Sequence, residues 1–198
     1  MLKRLVNVVR NYPALSLAFA ALFMIVSAAN MVDTGRCLKT KEASNGIISL
    51  ELAWDKSKAQ RIVAEWSSGY CAGDVISFKA QTGIDPGALI LNKAKENILL
   101  DFLFLVAYPL FFIVAILLLD PRSAYSMDVN TTSQIMIALA VSAGLLDAIE
   151  NIFMYQFLLD NTGLHFLFTL PATIKFLFVL AVIVYIIVTF LRSIIVRK

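Results

Sequence analysis

Histidine is almost absent from this chain: His165 is the only one in 198 residues. Cysteine is nearly as scarce, with Cys37 and Cys71 alone. A diiron or zinc centre built on histidines therefore lacks its ligands. The two cysteines also lack the close spacing of a metal knuckle. No metal and no cofactor is expected. Glycine (8) and proline (5) are sparse, and no glycine-rich phosphate loop or nucleophile elbow occurs. Charge is short as well: Asp, Glu, Lys and Arg make up 16% of residues, against about a quarter in soluble domains. The net charge is only +3, and the basic residues form no long cluster interleaved with aromatics, so nucleic acid is not an expected partner. No internal repeat or low-complexity tract is evident.

What the chain has instead is apolar residues, 60% of the total, gathered into long runs nearly free of charge. A helix needs about 20 such residues to cross the hydrocarbon core. Runs at 12–32, 98–119, 133–159 and 164–191 reach that length. The reading is an all-α membrane protein, a four-transmembrane-helix bundle forming one membrane domain over 1–198, with a small extracytoplasmic segment at 33–97 between the first two spans. The first run, with Lys3, Arg4 and Arg10 ahead of it and Ser27, Ala28 and Ala29 near its end, also has the outline of a secretory signal. Its length favours a span. The few residues between the third and fourth runs make those two helices antiparallel neighbours.

Orientation follows from Lys and Arg in the short flanks. Lys3, Arg4 and Arg10 precede span one, Arg122 lies between spans two and three, and Arg192, Arg197 and Lys198 follow span four. With an even number of spans these fall on one side, which the rule makes cytoplasmic. Both termini are then on the cytoplasmic side. Asn130-Thr131-Thr132 is a glycosylation sequon on that inner side and should be silent. The 33–97 segment would face outward, where Cys37 and Cys71 can form a disulfide.

Within that segment, Ile48, Leu50, Leu52 and Trp54 alternate with other residues, which predicts a strand. Asp55 is placed to cap a helix over 56–67, with Ala59, Ile62, Val63 and Trp66 on one face. That amphipathic helix is expected to pack on its own segment, with the membrane surface as the alternative. Asp85-Pro86 predicts a helix start running directly into span two.

The residues with chemical content are the ionisable ones inside the spans: Asp101 in the second, Asp147 and Glu150 in the third, and Lys175 in the fourth. Placing one charge at mid-membrane costs roughly 2.5–3.5 kcal/mol on insertion scales, so such groups face the protein interior. At ~1.5 Å rise per residue, Asp147 and Lys175 each lie roughly 16 Å from the outer ends of their spans. They are the expected ion pair, with Tyr108 at similar depth. Glu150 and Asn151 follow Asp147 at i+3 and i+4 on one face. Ala140, Ala143 and Gly144 continue that face with small side chains that permit close helix approach. Pro109 and Pro171 lie mid-span, where each removes a backbone donor. The candidate ligand-binding set is therefore Asp101, Tyr108, Asp147, Glu150, Asn151 and Lys175. Three acids against one lysine leave three ways to balance: Lys93 or Lys95 reaching in, a protonated carboxyl, or a bound cation. His165, at the outer edge of span four, is read as an interfacial polar contact.

The chain resembles a group of uncharacterised bacterial four-helix integral membrane proteins. The resemblance rests on Leu50-Glu51-Leu52-Ala53 followed by Ala59, Ile62 and Trp66; on Asp101-Phe102-Leu103-Phe104 with Tyr108; on Leu145-Leu146-Asp147 with Glu150-Asn151; and on Lys175-Phe176. It implies a bacterial inner membrane as the location, the topology and the importance of the polar positions, and no activity. The Cys37 and Cys71 pair is not part of it. A more distant likeness, in architecture alone, is to four-helix sterol-isomerase-like membrane proteins.

Three functions compete. The first is binding or transport of a small cationic or amphipathic ligand, a lipid or an ion in a buried polar chamber. The second is an accessory or assembly subunit, working with a membrane-protein partner or as a homo-oligomer. The third is an intramembrane lipid-modifying enzyme using Glu150 or Asp101 as acid or base with Tyr108 assisting. The pattern favours binding narrowly over the accessory role, with catalysis less favoured, and membrane lipid as the surrounding partner.

Overall fold

The computed structural model describes residues 2–69, 86–120, 129–160 and 163–196. Among the described residues there is no strand. The helices are α1 (Leu2–Asn11), α2 (Pro13–Gly35), α3 (Ile47–Glu51), α4 (Lys56–Ser68), α5 (Pro86–Leu119), α6 (Thr131–Asp160) and α7 (Phe166–Val196), with a 3-10 turn at Arg36–Leu38. Four stretches are long and apolar enough to cross a membrane: Pro13–Leu38, Ile90–Leu119, Thr131–Asp160 and Phe166–Ile195. Their outer faces carry large apolar side chains in the open, among them Leu15, Phe19, Leu22 and Ile25 on α2 and Leu177, Leu180, Val184 and Ile187 on α7. Soluble monomers do not leave continuous apolar surface of this kind in water. The chain is an all-α, multi-pass membrane protein of the expected class.

The described residues group into two compact units. The first takes in Met1–Val26, Phe104–Leu146 and Ile174–Lys198. Here α1 turns Val6 and Val9 inward while Lys3, Arg4 and Arg10 remain exposed. Pro13 opens α2, where its missing N–H costs nothing. The interior is built from Tyr108, Phe112, Ile116, Leu117, Ile137, Ala140, Ala143 and Val182. Ser133 on α6 and Tyr185 on α7 share a hydroxyl hydrogen bond of 2.9 Å. Helices α5 and α6 come very close at Gly144. A Cβ there would lie 2.9 Å from the Leu105 carbonyl oxygen and 3.0 Å from Pro109 Cγ. Leu105 is the residue whose helical hydrogen bond would come from position 109, and proline has no N–H to give. Glycine on α6 thus sits over the gap that proline leaves in the α5 ladder.

The second unit takes in Ser27–Leu103 and Asp147–Thr173. Its core holds Leu38, Leu50, Ala59, Ile62, Val63, Trp66, Ile90, Ala94, Ile98, Met154, Phe157 and Phe168. Asp55 caps α4 by accepting from the Ser57 N–H at 3.0 Å. Helix α4 buries Ala59, Ile62, Val63 and Trp66, so its apolar face is used within the unit rather than on a membrane surface. Trp66 Nε1 donates to the Leu38 carbonyl at 3.0 Å, satisfying the one polar group of a fully buried side chain. The Glu65 carboxylate gathers the preceding loop, accepting from Thr40 Oγ1 at 2.6 Å, the Glu42 N–H at 2.8 Å and the Lys41 N–H at 3.2 Å. Helix α5 runs unbroken from Pro86 into the span, as expected; Asp85 lies outside the described residues. Cys37 is disulfide-bonded. The only other cysteine, Cys71, also lies outside the described residues, as do Arg122, Arg197 and Lys198.

The strand predicted at 48–54 is corrected. That stretch overlaps α3 (Ile47–Glu51), which follows Gly46 at a positive φ of 63°. Leu50 and Glu51 are buried, and Ile47 packs against the core. Positions 47, 50 and 51 share a helical face, whereas a strand would have grouped 48, 50, 52 and 54.

Candidate functional site

The second unit holds most of the buried polar side chains. On α5, Asn97 and Asp101 are one turn apart and both buried. Asn97 Nδ2 donates to the Met31 carbonyl and to Thr34 Oγ1, each at 2.7 Å, which fixes α5 to the end of α2. On α6, Asp147, Glu150 and Asn151 are 3%, 0% and 1% exposed. They face inward rather than toward lipid, and Met154, Phe157 and Leu158 continue the same buried stripe.

The contact that joins the two helices is polar. Asn151 Nδ2 donates to Asp101 Oδ2 at 2.7 Å, fully inside the protein. A carboxylate acceptor makes this one of the stronger types of hydrogen bond. It also orients Asp101. Asp101 is thus an interior residue. On α7, Thr169 is buried, with its hydroxyl 3.0 Å from the His165 carbonyl and 3.4 Å from that of Ala53.

Two expected members, Tyr108 and Lys175, belong to the first unit. Both are buried there. Tyr108 packs between Phe104 and Phe112, with ring centroids 5.3 and 5.9 Å away. Lys175 Nζ lies 5.1 Å from the centre of the neighbouring Phe176 ring, a cation–π distance. Lys93 pairs with Glu96 at 2.8 Å on a partly exposed part of α5.

Glu51 is a buried acid that sequence reasoning missed. Read as a strand, the 48–54 stretch put Glu51 on the face opposite Leu50; as a helix it puts the two side by side. Glu51 is the one charge between Ile47 and Trp54, a signal that was visible in the sequence. Asn97 was also missed, although it precedes Asp101 by one turn.

The inventory of buried charge is lopsided. Among the described residues the buried acids are Glu51, Asp101, Asp120, Asp147 and Glu150, and the one buried base is Lys175. Four of the five acids lie in the second unit. No family model, curated protein or solved structure matches the chain.

Proposed function

We propose that the acid-rich interior of the second unit takes up a small cation or a cationic amphiphile within the membrane. The observation that supports this most directly is the set of buried carboxylates at Asp101, Asp147 and Glu150 on membrane-spanning helices, with Asp101 held in orientation by Asn151. Carboxylates in a low-dielectric interior attract a positive group more strongly than they would in water, and acids inside membrane spans commonly mark ion or substrate sites. Glu150 and Asp147 would meet the positive group, and Asn151 would keep Asp101 aimed at it. Glu51 adds a fourth acid to the same unit. The basic flanks favour cytoplasmic termini, and the resemblance to bacterial proteins favours an inner membrane.

The test is equilibrium binding of tetraphenylphosphonium, an amphipathic cation, to the purified protein in lipid nanodiscs. Wild type is expected to bind saturably, and Glu150→Gln and Asp147→Asn to weaken binding at least tenfold while unfolding at the wild-type temperature. Unchanged binding in both well-folded variants would contradict the proposal.

A further inference from the structure

We infer that Ile48, Leu52 and Trp54 form a foot that sits in the headgroup–acyl boundary of the bilayer beside the start of α7. Two hydrogen bonds set the depth of this segment. His165 Nε2 donates to the Trp54 carbonyl at 2.9 Å, and Thr169 Oγ1 is 3.4 Å from the Ala53 carbonyl. His165 immediately precedes the fourth spanning stretch, which begins at Phe166, and Thr169 lies one turn further in. Residues 53 and 54 are therefore fixed at the level of the first turn of a membrane span, where hydrocarbon gives way to headgroups.

The exposure pattern fits that level. Trp54 is 56% exposed, whereas its neighbour Ala53 is fully buried. Ile48 and Leu52 are exposed and lie one turn apart, linked by the Leu52 N–H to Ile48 carbonyl bond of 3.1 Å. Phe166 and Leu170, one turn apart on α7, are also exposed, so the span that anchors the foot offers lipid-facing surface at the same height. The chain then changes character in one step: Asp55, Lys56, Ser57 and Lys58 follow Trp54, all exposed. A tryptophan between an apolar patch and a run of charges matches the amphipathic ring favoured at membrane–water interfaces. The apolar face of α4 is already covered by its own unit, so α3 and the turn after it carry the lipid contact of this segment.

The chain's two tryptophans make the test direct. Trp66 is fully buried, and its indole N–H is bonded to Leu38. The protein is reconstituted alone into vesicles containing phospholipids brominated either near the glycerol end or near the tail of the acyl chain. Wild type, Trp54→Phe and Trp66→Phe are compared. Wild type minus Trp54→Phe gives the Trp54 signal even where Trp66→Phe fails to fold. The expected result is loss of most Trp54 emission with shallow bromines, less with deep ones, and little with aqueous iodide. Three results would overturn the inference: quenching by iodide but not by brominated lipid, stronger quenching by the deep bromines, or protection from all three.

Discussion

The amide of Asn151 and the carboxylate of Asp101 meet at 2.7 Å inside the protein, joining the second and third membrane spans by a side-chain hydrogen bond. Interhelical hydrogen bonds in membranes contribute about 0.6 kcal/mol on average and up to about 1.7. A charged acceptor with no water to replace the lost donor belongs at the upper end. Asn151→Leu is expected to destabilise the protein by about 1–2 kcal/mol, and the double variant with Asp101→Leu by less than the sum of the two single changes. Equilibrium unfolding in mixed detergent micelles checks this. Additive effects would mean that the two side chains do not interact.

At Gly144 a single methyl group is too much. Its Cβ would lie 2.9 Å from the Leu105 carbonyl oxygen and 3.0 Å from Pro109, so Gly144→Ala must push α5 and α6 apart. Overpacking of this kind costs about 1–3 kcal/mol. Gly144→Leu is expected to prevent folding. Thermal unfolding of the alanine variant in detergent reads the effect, and a wild-type midpoint would show that the helices separate freely.

Glu65 makes the loop before α3 sensitive to acid. The Thr40 hydroxyl is the main cause holding its carboxyl below the ordinary value of 4.5, with the Glu42 and Lys41 N–H groups adding to it and burial opposing. A group with a depressed folded pKa contributes stability that is present above its unfolded value and is lost as pH falls through the folded value. Acidification below 4.5 should therefore loosen this loop, and Thr40→Val should move the loss to higher pH. Amide exchange at Lys41 and Glu42, followed against pH, measures it. Identical profiles for the two proteins would contradict the assignment.

Trp66 fills the core of the second unit and satisfies its own indole N–H on Leu38. Trp66→Ala is expected to cost about 3–5 kcal/mol, the range for deleting a buried aromatic. Trp66→Phe should cost less, since it keeps most of the packing and loses the hydrogen bond. Urea unfolding followed by circular dichroism separates the two. Equal losses would show that the ring itself contributes little.

Much of this architecture can be read from local rules. The spans follow from run length alone, the α4 helix from Asp55 and its i, i+3, i+4 apolar face, and a close helix approach from the small side chains at Ala140, Ala143 and Gly144; that Pro109 is what Gly144 meets shows only in the structure. The inward face of Asp147, Glu150 and Asn151 follows from their spacing and the cost of charge in lipid. The 48–54 stretch escapes these rules because its apolar residues alternate as in a strand, whereas the face it buries in the structure, Ile47, Leu50 and Glu51, includes a charged residue. The positive φ at Gly46 and the tie to Thr169, 116 positions away from Ala53, accompany the helix. No local pattern carries the Glu65 contacts to 40–42, or the bond from Asn97 back to α2, because the partners lie 23 to 66 positions apart.

Charge selectivity at constant shape tests the central claim most directly. Tetraphenylphosphonium and tetraphenylborate are nearly the same size and differ in sign. In nanodiscs of neutral lipid, wild type is expected to bind the cation saturably and to show no saturable binding of the anion, with Glu150→Gln reducing that preference. Equal binding of both ions, unaffected by the substitution, would contradict an acidic cation site in this protein.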